Sequence, residues 1–376
     1  MKKIAINLLP YSPGMQGGSE VYIRNILNSI KTENLNYKIY LFISEDIKGL
    51  YTNRNNIEFE EVVILKGGCS RLKRIFYEQF VLPYHLYKYK IDLVISNYVV
   101  PVFSTCMTLG IIHDMQYKRM PELFEKSKLI YWNLFIPLTI WRSKLIGTIS
   151  NFSKNELIEF FPKVKKKVFI TSEGIKPEIQ TVVRSLKKTE FKNINFILSV
   201  ATFGKHKNLI TLIKSMKFVV EKFPDIKLKL VGAARTPDAI SARDKLKLEI
   251  NNLGLTDNIE FLGFVSDEHL GELYSRCLAY VFPSLYEGFG LPLIEAQSCG
   301  APVIISNKGS LPEVGEKGSL IFNALDEKDL SKKILHVIEN PQFRKEMIEQ
   351  GYDNIKRYSW EKGAHDLINA INKIEF

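Results

Sequence analysis

The chain has 376 residues, a size at which one hydrophobic core usually divides, so we expect two domains. Its apolar fraction of 45% and charged fraction of 25% are ordinary for a globular protein, which excludes disordered, collagen-like and disulfide-framework classes. No run of about 18 apolar residues occurs without charge, so the sequence predicts no bilayer-spanning segment.

The net charge of +11 is unevenly distributed. Residues 1–188 contain 28 basic and 16 acidic side chains, whereas the remainder is close to neutral. Such a basic half indicates an anionic contact, for which nucleic acid, an anionic membrane and a phosphorylated substrate are candidates. No helix-turn-helix, RNP or zinc pattern accompanies the charge, so we expect no nucleic-acid partner.

The cysteines and the start of the chain indicate a reducing compartment. Cys69, Cys106, Cys277 and Cys299 are far apart without CxxC spacing, which favours reduced thiols over zinc ligands or disulfides. Residues 1–14 combine a short apolar stretch with prolines instead of a small-residue cleavage site. We interpret this stretch as a first strand and expect a cytoplasmic protein.

In chain order, short apolar runs alternate with helical stretches, a pattern that predicts βαβ units and buried parallel sheets. The predicted strands of the first half are Ile4–Leu9, Lys38–Ile43, Glu60–Leu65, Asp92–Ser96, Leu109–His113, Leu145–Ser150 and Val168–Ser172. Residues 176–192 are rich in charge and are interpreted as a linker. The predicted strands of the second half are Asn195–Val200, Lys227–Val231, Ile259–Leu262, Leu278–Pro283 and Pro302–Ser306.

The expected fold class is therefore α/β, with two Rossmann-like domains at residues 1–188 and 189–356 facing a central cleft. Ligands of such folds usually bind at the carboxyl ends of the parallel strands. The pattern from Ser331 onward is helical throughout.

Residues 278–300, LAYVFPSLYEGFGLPLIEAQSCG, are the most informative segment. A predicted strand ends at Pro283, and a glycine-containing loop leads into a predicted helix at Pro292–Cys299, with Gly300 at the position just beyond the helix end. The N-terminus of a helix that leaves a glycine loop at a strand end favours phosphate binding.

Two glutamates of this segment lie eight residues apart. Glu287 is on the loop and Glu295 is expected in the first turn of the helix, so both can face one ligand. By itself, Glu295 could equally be a capping acid and Glu287 a solvated loop acid.

The stretch EGFGLPLIE resembles the E-x7-E element of retaining GT-B glycosyltransferases of family 4, also called glycosyl transferases group 1. The segment with His113 and Asp114 resembles that of a bacterial polysaccharide-type subgroup. Further segments similar to the family are GGSE at residues 17–20, IIHDMQYKRMPELF at 111–124, ISNFSKNEL at 149–157, SVATFGKHKNL at 199–209, LGFVSDEHL at 262–270 and YSW at 358–360.

The resemblance implies a nucleotide-sugar donor on the C-terminal domain, an acceptor on the N-terminal domain and a C-terminal helix, about residues 357–376, that returns to the first domain. It implies catalytic roles for His113, Glu287 and Lys207. The donor-binding residues that it implies are Gly17, Gly18, Thr202, Lys207, Phe264, Gly288, Phe289, Gly290, Leu291 and Glu295.

Several of these residues also have plainer interpretations. Lys207 could be a surface lysine and His113 a satisfied core histidine, while Asp114 could simply order its loop. Thr202 departs from the family pattern, because many members have arginine at this position. Lys207 must therefore balance more of the diphosphate charge.

The resemblance implies hexosyl transfer with retention of configuration to a glycan or lipid-linked acceptor, in bacterial surface polysaccharide or lipopolysaccharide synthesis. The chain contains no D-x-D sequence, which agrees with catalysis that needs neither metal nor cofactor.

A non-catalytic GT-B subunit or a nucleotide-binding Rossmann protein remains an alternative. A nicotinamide-dependent enzyme is disfavoured because the first loop, GMQGG, does not match G-x-G-x-x-G. The donor sugar, its base and the acceptor stay open.

Residues 71–90 mix basic and aromatic side chains. Such a stretch could lie on an anionic membrane, at the inner face of the cytoplasmic membrane, or could be an ordinary domain helix with solvated bases. Pro83 is expected to break it.

Overall fold

The computed structural model describes residues 1–12, 17–30, 37–51, 59–68, 70–186, 195–234 and 236–376. The chain forms two compact units, one comprising Met1–Glu173 with Trp360–Phe376 and the other Gly174–Ser359. The domain boundary predicted at residues 188 and 189 lies outside the described residues.

The first unit is built on a parallel sheet that has seven strands among its described residues. Its spatial order is β3-β2-β1-β4-β5-β6-β7, so the chain order reverses between β1 and β4. Every predicted strand of this half is confirmed, with ends shifted by a few residues. The strands are β1 Lys2–Asn7, β2 Tyr37–Ser44, β3 Glu60–Leu65, β4 Leu93–Asn97, β5 Met107–Ile111, β6 Leu145–Thr148 and β7 Val168–Ile170.

Helices cover both faces of this sheet, because its central strands are apolar on both sides. One core joins Ala5, Phe42 and Val94 to Leu82 and Leu86 of a covering helix. The helices are α1 Gly18–Ser29, α2 Arg71–Phe76, α3 Leu82–Lys88, α4 Gln116–Arg119, α5 Lys126–Arg142, α6 Asn151–Phe160 and, from the end of the chain, α15 Trp360–Asn372.

Pro83 does not break the stretch at residues 71–90, contrary to the prediction. A π-helical turn, Tyr77–Val81, joins α2 to α3, and the Leu82 N–H donates to the Tyr77 carbonyl. The π turn is wider than an α-helical turn and lies where an α-helical turn would clash with the ring of Pro83. The helix can therefore continue through the proline.

The return of the C-terminal helix to the first unit is confirmed. The hydroxyl of buried Tyr22 on α1 lies 2.9 Å from Thr171 Oγ1, which donates to the carbonyl of Gly363 on α15 at 3.0 Å. A Cβ on Gly363 would lie 2.1 Å from the Ser172 carbonyl oxygen. Glycine is therefore required for α15 to approach this backbone so closely.

The second unit has a parallel sheet with six strands in the part of the chain that is described, ordered β10-β9-β8-β11-β12-β13. The chain order reverses between β8 and β11. All five predicted strands are confirmed, and sequence reasoning missed β13, a four-residue edge strand. The strands are β8 Phe196–Val200, β9 Lys227–Val231, β10 Ile259–Gly263, β11 Ala279–Phe282, β12 Val303–Ser306 and β13 Ser319–Phe322.

The linker predicted at residues 176–192 is wrong in its first part. Residues 177–186 form helix α7, with Pro177 at its start and Ile179 buried, and residues 187–194 lie outside the description. The helix packs against the helices at Asp267–Arg276 and Leu291–Ser298 and belongs to the second unit. Its apolar residues recur at helical spacing, but the surrounding charge obscured the pattern.

The remaining helices flank the second sheet, as its apolar strands require. The helix predicted at Pro292–Cys299 is confirmed as α11, and Gly300 follows it with a φ of +77°. The helices of the unit are α7 Pro177–Leu186, α8 Leu209–Lys222, α9 Pro237–Asn252, α10 Asp267–Arg276, α11 Leu291–Ser298, α12 Leu311–Gly315, α13 Glu327–Glu339 and α14 Pro341–Ile355.

Cys106, Cys277 and Cys299 are buried free thiols, whereas Cys69 lies outside the described residues. None of the described helices is both long enough and apolar enough to cross a bilayer.

Replacing Gly363 with alanine is expected to lower the free energy of unfolding by about 1–3 kcal/mol, the cost of overpacking a tight contact. Helix propensity alone predicts the opposite, a gain of about 1 kcal/mol. Urea denaturation followed by circular dichroism measures the difference. His365→Ala, at an exposed position of the same helix, serves as the control, and stabilisation by G363A would contradict the close approach of α15.

Candidate active site

Two loops meet at the carboxyl edge of the second sheet, on either side of the point where its strand order reverses. One follows β8 and the other follows β11. Asn208, in the left-handed conformation at φ 53°, directly precedes α8, and its Nδ2 donates to the carbonyls of Pro283 and Ala324. The Leu285 N–H donates to the His206 carbonyl at 2.7 Å. These bonds hold the two loops side by side at the position where such folds bind ligands.

Lys207 and Glu287, one from each loop, form an ion pair. Lys207 Nζ lies 2.6 Å from Glu287 Oε1, and both side chains are largely buried. The ammonium group also lies 5.8 Å above the ring of Phe282. The structure thus brings together two of the predicted catalytic residues, as partners of each other.

His206, which directly precedes Lys207, does not add a positive charge at neutral pH. Burial, aided by the charge of Lys207, lowers the pKa of His206 to about 4, so its imidazole is neutral. Thr202, where many family members have arginine, is exposed just beyond β8 and is uncharged.

The loop before α11 is shaped by glycine and by a neighbouring turn. Gly290 has a φ of +105°, and a Cβ there would lie 2.9 Å from Leu311. Ser310 Oγ lies 3.0 Å from the Glu287 carbonyl oxygen and 2.7 Å from that of Phe289. A Cβ on Gly309 would lie 2.8 Å from the Glu287 nitrogen. Sequence reasoning missed this supporting turn at residues 309–310, because it follows the next strand.

The other predicted donor-binding residues of this unit differ in what they can offer. Gly288 is buried within the loop, and Leu291 begins α11. The ring of Phe289 is buried edge-on against Tyr358, with centroids 5.2 Å apart, so its backbone rather than its ring can meet a ligand. Phe264, just beyond β10, is exposed.

Glu295 lies in the second turn of α11, not in the first as predicted, so it does not cap the helix. Burial raises its pKa, and the Lys176 ammonium 3.5 Å from its Oε1 opposes that rise. Lys176 Nζ also bonds Asp267 Oδ1 at 3.3 Å. Glu295 Oε1 is buried and has no hydrogen-bond partner in the described part of the chain, so it can accept a hydroxyl hydrogen.

Lys176 is a site residue that sequence reasoning missed. It directly precedes α7, in the stretch that was interpreted as a linker, and local spacing does not connect it to Glu295.

In the first unit, His113 is buried beyond the end of β5. Its Nδ1 lies 3.9 Å from Glu173 Oε1, and its ring is edge-on to Tyr22 with centroids 5.0 Å apart. Burial lowers the pKa of His113 to about 3, so its imidazole is neutral at pH 7. Its Nε2 is buried without a hydrogen-bond partner among the residues described. Glu173, which sequence reasoning also missed, is buried beside it.

The remaining predicted residues of the first unit lie near the carboxyl ends of its strands. Gly17 caps α1 and Gly18 begins it, and a Cβ on either would meet no atom within 4 Å. Asp114 Oδ1 accepts a hydrogen bond from the Gln116 N–H, so it orders its own loop.

Across the described residues, no three or more His, Cys, Asp or Glu side chains form a group that could hold a metal ion. The second unit combines an ammonium group, a helix N-terminus and a buried carboxylate oxygen at one sheet edge. Such a set can bind an anion and a hydroxyl group of the same ligand.

Residues 184–354 match the family model described as glycosyl transferases group 1. O-antigen chain mannosyltransferase B of Escherichia coli is 30% identical over 268 residues, which cover 69% of this chain and 68% of that protein. Two solved structures resemble this one along its length. Sucrose-phosphate synthase from Thermosynechococcus elongatus has a TM-score of 0.77 at 19% identity, covering 99% of both chains. Anabaena Alr3699/HepE in complex with UDP-glucose has a TM-score of 0.75 at 18% identity, covering 100% of both. These likenesses confirm the predicted GT-B fold class.

Replacing Lys176 with methionine is expected to leave the Glu295 carboxylate buried without its cation. The free energy of unfolding should fall by roughly 2–3 kcal/mol at pH 7.5, less than for a fully buried pair because Lys176 is partly exposed. The pKa of Glu295 should rise further, so the deficit should shrink as the pH falls and the folded protein takes up a proton there.

Urea denaturation of the native and K176M proteins at pH 5 and pH 7.5 measures this difference. Lys222→Met removes an exposed lysine paired with Glu339 and should change stability by less than about 1 kcal/mol. If K176M loses the same free energy of unfolding at both pH values, Lys176 does not control the pKa of Glu295.

Proposed function

This chain belongs to the glycosyl transferases group 1 family, and we propose that it transfers a hexose-type sugar from a nucleotide-sugar donor, with retention of configuration and without a metal ion. The acceptor is a glycan or a lipid-linked saccharide of a bacterial surface polysaccharide or lipopolysaccharide. The observation that carries the proposal is the Lys207–Glu287 pair at the strand-order reversal, beside the N-terminus of α11.

The donor diphosphate binds at the sheet edge of the second unit. Lys207 supplies the positive charge, and the first N–H groups of α11 with the helix dipole supply further stabilisation. Glu287, held within reach of Lys207, accepts hydrogen bonds from the donor sugar while its charge is balanced by the ammonium group.

The nucleoside is held by Glu295. Its Oε1 is buried and, apart from the ion-pair contact with Lys176, has no hydrogen-bond partner among the described residues, so a ribose hydroxyl can donate to it. The Lys176 ammonium, 3.5 Å from this oxygen, opposes the rise in the pKa of Glu295 that burial causes.

His113 acts on the donor sugar as a neutral group. Its low pKa leaves one ring nitrogen as an acceptor at neutral pH, and Glu173 near Nδ1 favours the tautomer in which Nε2 is that acceptor. A sugar hydroxyl can therefore donate to Nε2.

The reaction proceeds by front-face attack. The bond between the anomeric carbon and the diphosphate oxygen breaks, the acceptor oxygen bonds that carbon on the same face, and the acceptor proton passes to the leaving diphosphate. Lys207 and α11 stabilise the charge that develops on the leaving group.

The similarity to the E. coli relative supports the proposed acceptor and location. Because the E. coli relative is an O-antigen mannosyltransferase, we place this chain in the cytoplasm, acting on a growing surface glycan at the inner face of the membrane.

The decisive test is turnover by the purified protein with a panel of nucleotide sugars, scored as release of nucleoside diphosphate. Nucleotide-activated mannose belongs in it because of the E. coli relative, and UDP-glucose because of the HepE complex. Nucleotide binding without turnover of any donor, with or without saccharide acceptors, would favour a non-catalytic subunit. Nuclear magnetic resonance of the product's anomeric proton tests retention.

Replacing Lys207 with methionine is expected to weaken binding of the nucleoside diphosphate about 10- to 150-fold, by loss of a charge-assisted bond. Affinity for the nucleoside alone should change little. Isothermal titration calorimetry measures both. Lys205→Met removes an exposed lysine of the same turn and is the matched control. If K207M binds the nucleoside diphosphate and the nucleoside with equally reduced affinity, Lys207 does not contact the diphosphate.

Turnover is expected to persist after treatment with EDTA, because Lys207 and α11 neutralise the leaving diphosphate. The rate of diphosphate release before and after dialysis against chelator measures this. Complete loss that added Mg²⁺ or Mn²⁺ restores would contradict the proposed mechanism.

A further inference from the structure

The helix formed by α2, the π turn and α3 carries a row of exposed large apolar side chains. They recur every three to four residues and are 54% to 80% exposed, at Leu72, Phe76, Phe80, Tyr84 and Tyr87. An exposed apolar row of this length is unusual on a soluble domain and marks a contact surface.

A neighbouring loop extends this row. Phe103 is 62% exposed and stacks on Phe80, with ring centroids 5.3 Å apart and planes at 20°. Buried Gln79 holds the loop in place, since its Nε2 donates to the Val100 carbonyl and its Oε1 accepts from the Val102 N–H. The Phe80–Phe103 pair is thus fixed by the fold while both rings face outward.

Helix α5 adds a second exposed row beside the first. Its members, Ile130, Leu134 and Trp141, lie at helical spacing and are 56% to 75% exposed. We call the two rows and Phe103 together the apolar face.

Contacts at both ends of α5 tie it to the first row. Arg71 at the start of α2 pairs with Glu125, which precedes α5, and Arg142 at the end of α5 donates to the carbonyl of Ser104, next to Phe103. The two rows therefore lie on neighbouring elements of the first unit.

The charge along the helix that carries the first row is mainly positive. Residues 71–90 contain five basic residues and one acid, and that acid, Glu78, is buried. Lys73 and Lys88 are exposed on the same helix as the first row. The face therefore presents protruding apolar groups surrounded by cations.

We propose that the apolar face docks this chain on the surface of an anionic lipid bilayer. Apolar side chains that protrude singly suit insertion among acyl chains and headgroups, and the surrounding cations suit anionic lipid headgroups. The rings of Tyr84, Tyr87 and Trp141 combine an apolar body with a polar edge, the property that places aromatic residues at membrane interfaces. A protein partner would need to match nine protruding side chains and a mainly positive charge, which the observations favour less.

The docking goes beyond the proposed sugar transfer and is tested without any sugar or nucleotide. Co-sedimentation of the full chain with phosphatidylglycerol–phosphatidylcholine vesicles is compared with phosphatidylcholine vesicles, each at 50 mM and 500 mM NaCl. We expect binding to the anionic vesicles at low salt, a steep fall at high salt, and weak binding to the neutral vesicles.

Paired variants separate the apolar and the electrostatic contributions. Phe76→Ser with Phe80→Ser should lower the partition coefficient about tenfold or more, through lost apolar burial. Its matched control, Ile240→Ser with Leu248→Ser, removes exposed apolar side chains of the second unit and should leave binding unchanged. Lys73→Gln with Lys88→Gln should lower the partition coefficient for anionic vesicles roughly 30-fold. Lys332→Gln with Lys345→Gln, at exposed positions of the second unit, is the charge control.

Three outcomes would overturn the proposal. Equal or absent binding to both kinds of vesicle would leave the charge as a solubility feature. An equal loss in the control variants would show that binding is not specific to this face. A dimer in light scattering that F76S/F80S dissociates, without vesicle binding, would assign the face to a second copy of the chain. Circular dichroism and thermal melting confirm that each variant is folded, since all these positions are exposed.

Discussion

Every strand in each sheet runs parallel to its neighbours, and this constraint determines where the chemistry of the chain can lie. Parallel strands end together, so the loops that follow them gather at one edge of the sheet. In the second unit the reversal of strand order between β8 and β11 opens a gap between two such loops. Lys207 and Glu287 fill that gap from positions 80 residues apart in the sequence. In the first unit the same constraint places Gly17 and His113 after the ends of their strands.

Burial controls the charge state of the polar groups at these edges. His113 and His206 are neutral because each is desolvated, whereas Glu295 is buried beside the Lys176 ammonium that opposes the rise of its pKa. Lys207 is balanced by Glu287. The second unit can therefore receive a highly charged diphosphate while its own buried charges remain paired.

The basic excess of the first half has a different location from the paired charges of the second. Its exposed bases Lys73 and Lys88 lie on the helix that carries the first row of the apolar face. A donor site in one unit and a docking surface on the other would let a soluble donor and a lipid-linked acceptor reach the same enzyme. The proposed surface therefore supplies a physical reason for the charge asymmetry.

Sequence patterns by themselves determined the α/β class, twelve strands and helix α11, because buried parallel strands are continuous apolar runs and helix ends have strong local signals. The resemblance of EGFGLPLIE implied site roles for Glu287 and Glu295, and that of SVATFGKHKNL implied one for Lys207. Tertiary structure decided the rest. Lys176 and Glu173 become partners of Glu295 and His113 only through contacts between distant segments, and β13 is too short to stand out. The stacking of Phe103 on Phe80 depends on the loop that Gln79 holds in place, a contact that local spacing does not encode.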